Sequence, residues 1–278
     1  MSLGVLLVVL FGALLHASWN LLIKSGANRQ ATTALVYISA GALSACALPF
    51  LPRPDPASWP YLLASTLTEL LYGVVLAAAY RVGDLSHAYP LMRGTAPLLV
   101  AIASTLLAGE PLPRSVGIGV AVMSTAIFSL ILDARSRRQS SAATALALLN
   151  AGLIATYTVI DGVGSRKSGH AVAYSLWLST FIAVPWLVAA LERFRAQRWA
   201  VLRAELRSGV LGGACSLASY TMALWAMTRA PIAAVAAVRE SSIVFGTVLG
   251  ALILHERVSW VRAAAVTAIA GGVWVIGY

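Results

Sequence analysis

Charge is scarce in this chain. Of 278 residues, 20 are Lys or Arg and 10 are Asp or Glu, 11% of the whole, where a soluble domain carries about 25%. That scarcity excludes a disordered chain and an ordinary cytosolic enzyme. Cysteine is scarcer still. Cys46 and Cys215 both fall inside apolar runs, with no CxxC or Cys/His spacing, so neither a disulfide framework nor a metal site is indicated. GxSxG, HExxH, a Walker-type glycine loop and a Ser/His/Asp set are all missing, which argues against a membrane enzyme and against direct ATP drive. No catalytic residue, cofactor or metal is expected. A basic n-region is also missing from Met1-Ser2-Leu3-Gly4, and no cleavage-like site follows, so the first apolar run reads as a retained transmembrane helix.

What the chain has instead is hydrocarbon. Hydrophobic residues make up 59% and the mean hydropathy is +0.83. One core in water would leave large apolar patches exposed, so the natural solvent is a bilayer. The net charge of +10 suggests a polyanion partner only until its distribution is read. Basic residues sit mostly in short gaps between apolar runs, as expected beside membrane spans. No nucleic-acid partner is implied.

A helix needs about 20 apolar residues to cross the hydrocarbon. Ten runs qualify: Leu3–Ile23, Ala31–Leu51, Trp59–Tyr80, Leu85–Leu107, Pro113–Leu132, Ala142–Val163, Ala171–Leu191, Glu205–Thr228, Ile232–Leu254 and Ser259–Gly277. The gaps carry turn signals such as Arg53-Pro54-Asp55-Pro56 and Gly109-Glu110-Pro111. The longer stretch from Glu192 to Arg207, with Phe194, Arg195, Arg198 and Trp199, reads as an interfacial segment on headgroups. Odd-numbered gaps hold thirteen Lys or Arg and even-numbered gaps five. That bias alone puts the odd gaps in the cytoplasm and both termini outside.

The two halves resemble each other. The stretch from Tyr89 through Arg93 to Gly109-Glu110 pairs with that from Val235 through Arg239 to His255-Glu256, without gaps, at an offset of 146. Nearer the N-terminus, Ala17-Ser18-Trp19-Asn20 pairs with Ala155-Thr156-Tyr157-Thr158 at an offset of 138. The expected fold is therefore all-α and membrane-integral: ten transmembrane helices as two inverted five-helix repeats, residues 1–138 and 139–278. An odd number of spans per repeat inserts the second copy upside down. Such repeats place a shared site near the midplane and give two near-equivalent conformations, which favours a transporter over a membrane enzyme.

His16-Ala17-Ser18-Trp19-Asn20 through Lys24, the Gly109-Glu110 exit turn and the five-plus-five pattern resemble the ten-helix EamA branch of the drug/metabolite transporter superfamily, over the whole chain. The resemblance implies a secondary carrier, often an exporter of amino acids, metabolites or drugs, in a bacterial inner membrane. That family is usually drawn with both termini in the cytoplasm, opposite to the loop charges here, so orientation stays open.

Ionisable groups at membrane depth are site candidates by default. Glu69 falls at the middle of its run, with Ser65, Thr66, Tyr72 and Gly73 on the same face. It lines a cavity, or it is a structural carboxylate paired with an Arg. His16 and Asn20 share a face, flanked by Trp19; the alternative is that they satisfy each other, with Lys24 snorkelling to the interface. Asp161 lies near a helix end and reads as loop-facing. Arg93 and Arg239 occupy equivalent places and suit a carboxylate, phosphate or phosphonate; the alternatives are an Arg93–Glu69 pair, outward snorkelling, or a poorly oriented Arg239–Glu240 pair. Tyr157 and Trp177 sit well inside their spans and are kept as lining aromatics. Glu110 and Glu256 read as loop or cap residues. Pro90, Pro97 and Pro185 are candidate kinks.

The expected substrate site is thus His16, Trp19, Asn20, Glu69, Tyr72, Arg93, Tyr157, Trp177 and Arg239, with Glu69 and His16 as proton-coupling candidates. The expected function is secondary transport of a small polar, anionic or zwitterionic metabolite by alternating access. The second reading is proton-coupled export of hydrophobic cations. The bilayer and the small molecule are the implied partners, and a monomer suffices.

Overall fold

The computed structural model describes residues 1–133, 140–193 and 198–278. Among them the regular structure is helical throughout: α1 Leu3–Ser25, α2 Arg29–Ala47, α3 Trp59–Val82, α4 Leu85–Leu107, α5 Arg114–Asp133, α6 Ser141–Lys167, α7 Ala171–Arg193, α8 Arg198–Met227, α9 Ile232–Arg239, α10 Ser242–Ile253 and α11 Trp260–Gly277, with two short 3-10 turns between α2 and α3. Among the described residues ten helical stretches are long and apolar enough to cross a membrane, with α9 and α10 together making the ninth.

Local chemistry sets the helix starts. Ser2, Asn28, Ser140 and Ser259 each cap a free amide with a side-chain oxygen. Leu63, Leu67, Leu71 and Val74 on α3 are all more than half exposed. They recur every three or four residues and form one stripe, the face that meets lipid. Ser65 and Thr66 point the other way and are buried.

The packing is reciprocal. α1 lies on α8 as α6 lies on α3, and α1 meets α9 and α10 as α6 meets α4. α2 faces α7, and α5 faces α11. Close approach depends on small residues. A Cβ on Gly213 of α8 would stand 2.8 Å from the Val36 carbonyl oxygen of α2, so that crossing exists only because the side chain is missing.

Two expectations change. The ninth run breaks at Glu240-Ser241 instead of continuing to Leu254. The helices of α4 and α7 run through Pro90, Pro97 and Pro185 without a break. The stretch expected to lie along headgroups is helical from Arg198 onward. Its Glu205 is buried, because its carboxylate accepts the Asn28 amide (3.0 Å) and the Thr32 hydroxyl (2.8 Å) at the start of α2. Phe194 and Arg195 lie outside the described residues.

Candidate functional site

A cavity of about 180 Å3 lies among α1, α2, α3, α4, α6, α7, α8 and α9. Of the nine expected residues it brings together eight: His16, Trp19, Asn20, Glu69, Tyr72, Arg93, Tyr157 and Arg239. The ninth, Trp177, is not in the lining. Its ring packs against Trp59 and Phe181, at 5.2 and 5.5 Å between centroids, so depth in the span did not carry it to the cavity. Tyr37, Tyr89, Tyr220 and Glu240 join the lining.

The α1 face lines the cavity, and its hydrogen bonding follows the alternative. The Asn20 amide donates to the His16 backbone carbonyl (2.8 Å), and the His16 and Trp19 rings meet edge to face at 5.1 Å. Both residues still reach the cavity. Lys24 does not snorkel alone; it pairs with Glu256. The Tyr72 and Tyr157 rings meet edge to face at 5.8 Å on the opposite wall.

Arg93 and Arg239 differ sharply. The Arg93 guanidinium meets Glu240, Nε to Oε2, at 2.9 Å, and reaches the Ser242 hydroxyl at 3.3 Å. The expected alternative partner, Glu69, is thus replaced by the carboxylate at the break in the ninth span. Glu240 follows the last residue of α9, where the backbone stays right-handed and tightens to i→i+3 bonds, the Glu240 amide to the Ala237 carbonyl (2.9 Å) and the Ser241 amide to the Val238 carbonyl (3.0 Å). Arg239 has a ring partner instead: its guanidinium lies over Tyr220, 5.1 Å from the centroid. Among the described residues no carboxylate lies within ion-pair distance of Arg239.

Asp161 is not loop-facing. It is wholly buried, accepting hydrogen bonds from the Tyr174 hydroxyl (3.0 Å) and from the Tyr220 hydroxyl. Position near the end of an apolar run misled, because α6 continues to Lys167 and keeps Asp161 inside. Asp161 therefore fixes the ring that supports Arg239. The Arg93–Glu240 pair cancels internally, and Arg239 and the Glu69 carboxyl group face the same small space. No cluster of His, Cys, Asp or Glu among the described residues fits a metal ion.

The family model for the EamA-like transporter family matches residues 141–278, the C-terminal half of the chain. This chain belongs to that family. EamA-like proteins are transporters, and ten apolar helices make this member an integral membrane protein. No curated protein sequence matches it. Among solved structures 29 chains match. One, a crystal structure of a protein, is 20% identical, aligns over 98% of this chain and 97% of its own, and has a TM-score of 0.79. That likeness concerns the fold alone.

Sequence reasoning missed Glu240, Tyr220 and Asp161 as members of this EamA-like site. Asp161 had a usable signal, a carboxylate on the same helix face as Tyr157 and Thr158. Glu240 had only its place beside Arg239. Tyr220 is one of several span aromatics that could line a path, and nothing in the sequence sets it apart, since Tyr is also common at membrane interfaces.

Proposed function

We propose that this EamA-like protein is a secondary transporter of a small zwitterionic or anionic metabolite, working by alternating access around the central cavity. The observation that carries the reading is the pairing of charges there: Arg239, free of any ion pair among the described residues, and Glu69, both lining one space walled by Tyr72, Tyr157 and Trp19. Arg239 takes a carboxylate or phosphate oxygen. Glu69 takes an ammonium group, or carries the proton that keeps an anion's transit electrically tolerable. His16 is the second candidate for that proton.

Size favours this reading over export of hydrophobic cations. Drug-sized ligands occupy pockets of about 300–1,000 Å3, and this cavity is about 180 Å3. Two inverted repeats, residues 1–138 and 139–278, are part of the proposal. The reciprocal packing of the helices supports them, as does a family model that matches a stretch beginning at α6. Two such halves exchange roles by rocking about the shared site. A bacterial inner membrane is the proposed location, and a monomer the proposed unit.

The test is a thermal-shift screen of purified protein against amino acids, dicarboxylates, phosphate esters and quaternary ammonium ions, followed by uptake of the hits into proteoliposomes. Stabilisation by a zwitterion or anion, lost in Arg239→Gln, is the expected result. Stabilisation by the ammonium series alone, kept in Arg239→Gln and lost in Glu69→Gln, would replace it with the cation reading.

A further inference from the structure

Glu110 and Glu256 stand at the offset of 146 that relates the two halves of the sequence. Read from the sequence they are loop residues; in the structure each closes an ion pair with the far end of another helix. Glu110, leaving α4, pairs with Arg166 at the end of α6. Glu256, leaving α10, pairs with Lys24 at the end of α1. Each pair therefore ties one half to the other. Because ten spans alternate in direction, the two pairs lie at opposite ends of the bundle.

The backbone at the two exits is also alike. The Glu110 amide donates to the Ser104 carbonyl (3.2 Å), and the Glu256 amide to the Gly250 carbonyl (3.1 Å). The residue before each is left-handed, Gly109 at φ +66° and His255 at φ 54°. Glycine adopts that region freely, whereas a histidine there is uncommon. The turn that aims the carboxylate is thus kept even where the residue does not favour it.

The two ties differ in strength. The Glu110 side chain is 12% exposed and that of Arg166 is 34%. Arg166 also donates to the Met227 carbonyl (2.7 Å) and the Ala230 carbonyl (3.1 Å), and the second oxygen of Glu110 accepts the Ile232 amide (2.8 Å). This end binds the α4 exit, the α6 end and the α8–α9 turn into one knot. At the other end Lys24 is 50% exposed and Glu256 35%, and the lysine's hydrogen bond goes to Glu256. An exposed pair is screened by water and holds little.

We propose that Glu110–Arg166 and Glu256–Lys24 are the two gating latches of the transport cycle. The Glu110 latch holds its end of the bundle shut in this structure. The Glu256 latch is the weaker, and it tightens when the cavity turns to face the other side. This rests on the alternating-access reading above.

Conformation reports on the latches without any substrate. A cysteine at Ser179, which lines the cavity, is introduced in a Cys46→Ser, Cys215→Ser background. A membrane-impermeant maleimide then labels it from each face of right-side-out and inverted vesicles. Glu110→Gln should raise labelling from the Glu110 end about threefold or more and lower it from the other, and Glu256→Gln should shift it the opposite way. If Glu110→Gln fails to fold, Arg166→Lys keeps the charge, loses the fork to the backbone, and carries the same expectation. Unchanged labelling in both variants, or a shift to the same end in both, overturns the proposal. Opposite shifts without uptake of any metabolite would sink the substrate reading while leaving the latches in place.

Discussion

Arg93 and Glu240 form an ion pair, 2.9 Å between Nε and Oε2, that joins the middle of α4 to the break in the ninth span. Their side chains are 16% and 7% exposed. Two charges so placed stabilise each other only as a pair, because either alone is left desolvated. The pair also divides the arginines by role. Arg93 is held in the cavity wall by Glu240, whereas Arg239 has no carboxylate partner among the described residues.

Removing one partner of the pair should therefore be costly to folding. Arg93→Gln or Glu240→Gln is expected to destabilise the purified protein by about 3–5 kcal/mol. Thermal unfolding in detergent measures this. The double variant Arg93→Met, Glu240→Leu should recover most of the loss, since it buries no lone charge.

Arg239 should behave differently. Arg239→Gln is expected to leave the unfolding temperature within a degree or two and to weaken an anionic or zwitterionic ligand by about 2 kcal/mol or more. Ligand-induced thermal shifts on both proteins check it. A large loss of basal stability would instead make Arg239 structural.

Asp161 and its tyrosines make a buried cluster whose members depend on one another. Tyr174→Phe and Tyr220→Phe should each cost about 1.5–3 kcal/mol, as hydrogen bonds to a charged group. Their combination should not add, because both bonds end on one carboxylate. Tyr220→Phe should also weaken ligand binding through Arg239 less than Arg239→Gln does, since the ring under the guanidinium remains. A double-mutant thermal cycle with ligand titrations tests both statements.

The α2–α8 crossing predicts a steric effect. Gly213→Ala places a methyl carbon 2.8 Å from the Val36 carbonyl oxygen and 2.8 Å from the Ser39 Cβ, both on a rigid helix. Overpacking of this kind costs about 1–3 kcal/mol. Gly73→Ala, where a Cβ meets open space, is the control and should be neutral in the same melting experiment.

The ten spans were legible in the sequence because hydrocarbon thickness imposes a length and a composition on each helix, one at a time. The same holds for the depth of Glu69, Arg93 and Arg239, and for eight of the nine lining candidates, since a polar residue inside an apolar run has few places to go. Trp177 failed that rule because an aromatic ring packs equally well between helices. The choice of partners was not legible. Arg93 with Glu240 in place of Glu69, Asp161 with Tyr174 and Tyr220, and Glu110 with Arg166 are all contacts between distant segments. They depend on how helices are rotated and stacked, which periodicity does not encode. The break at Glu240-Ser241 belongs with them: the two parts of the ninth span meet in a tightened turn of i→i+3 bonds, and the charge that Glu240 meets there, on Arg93, is presented by another helix.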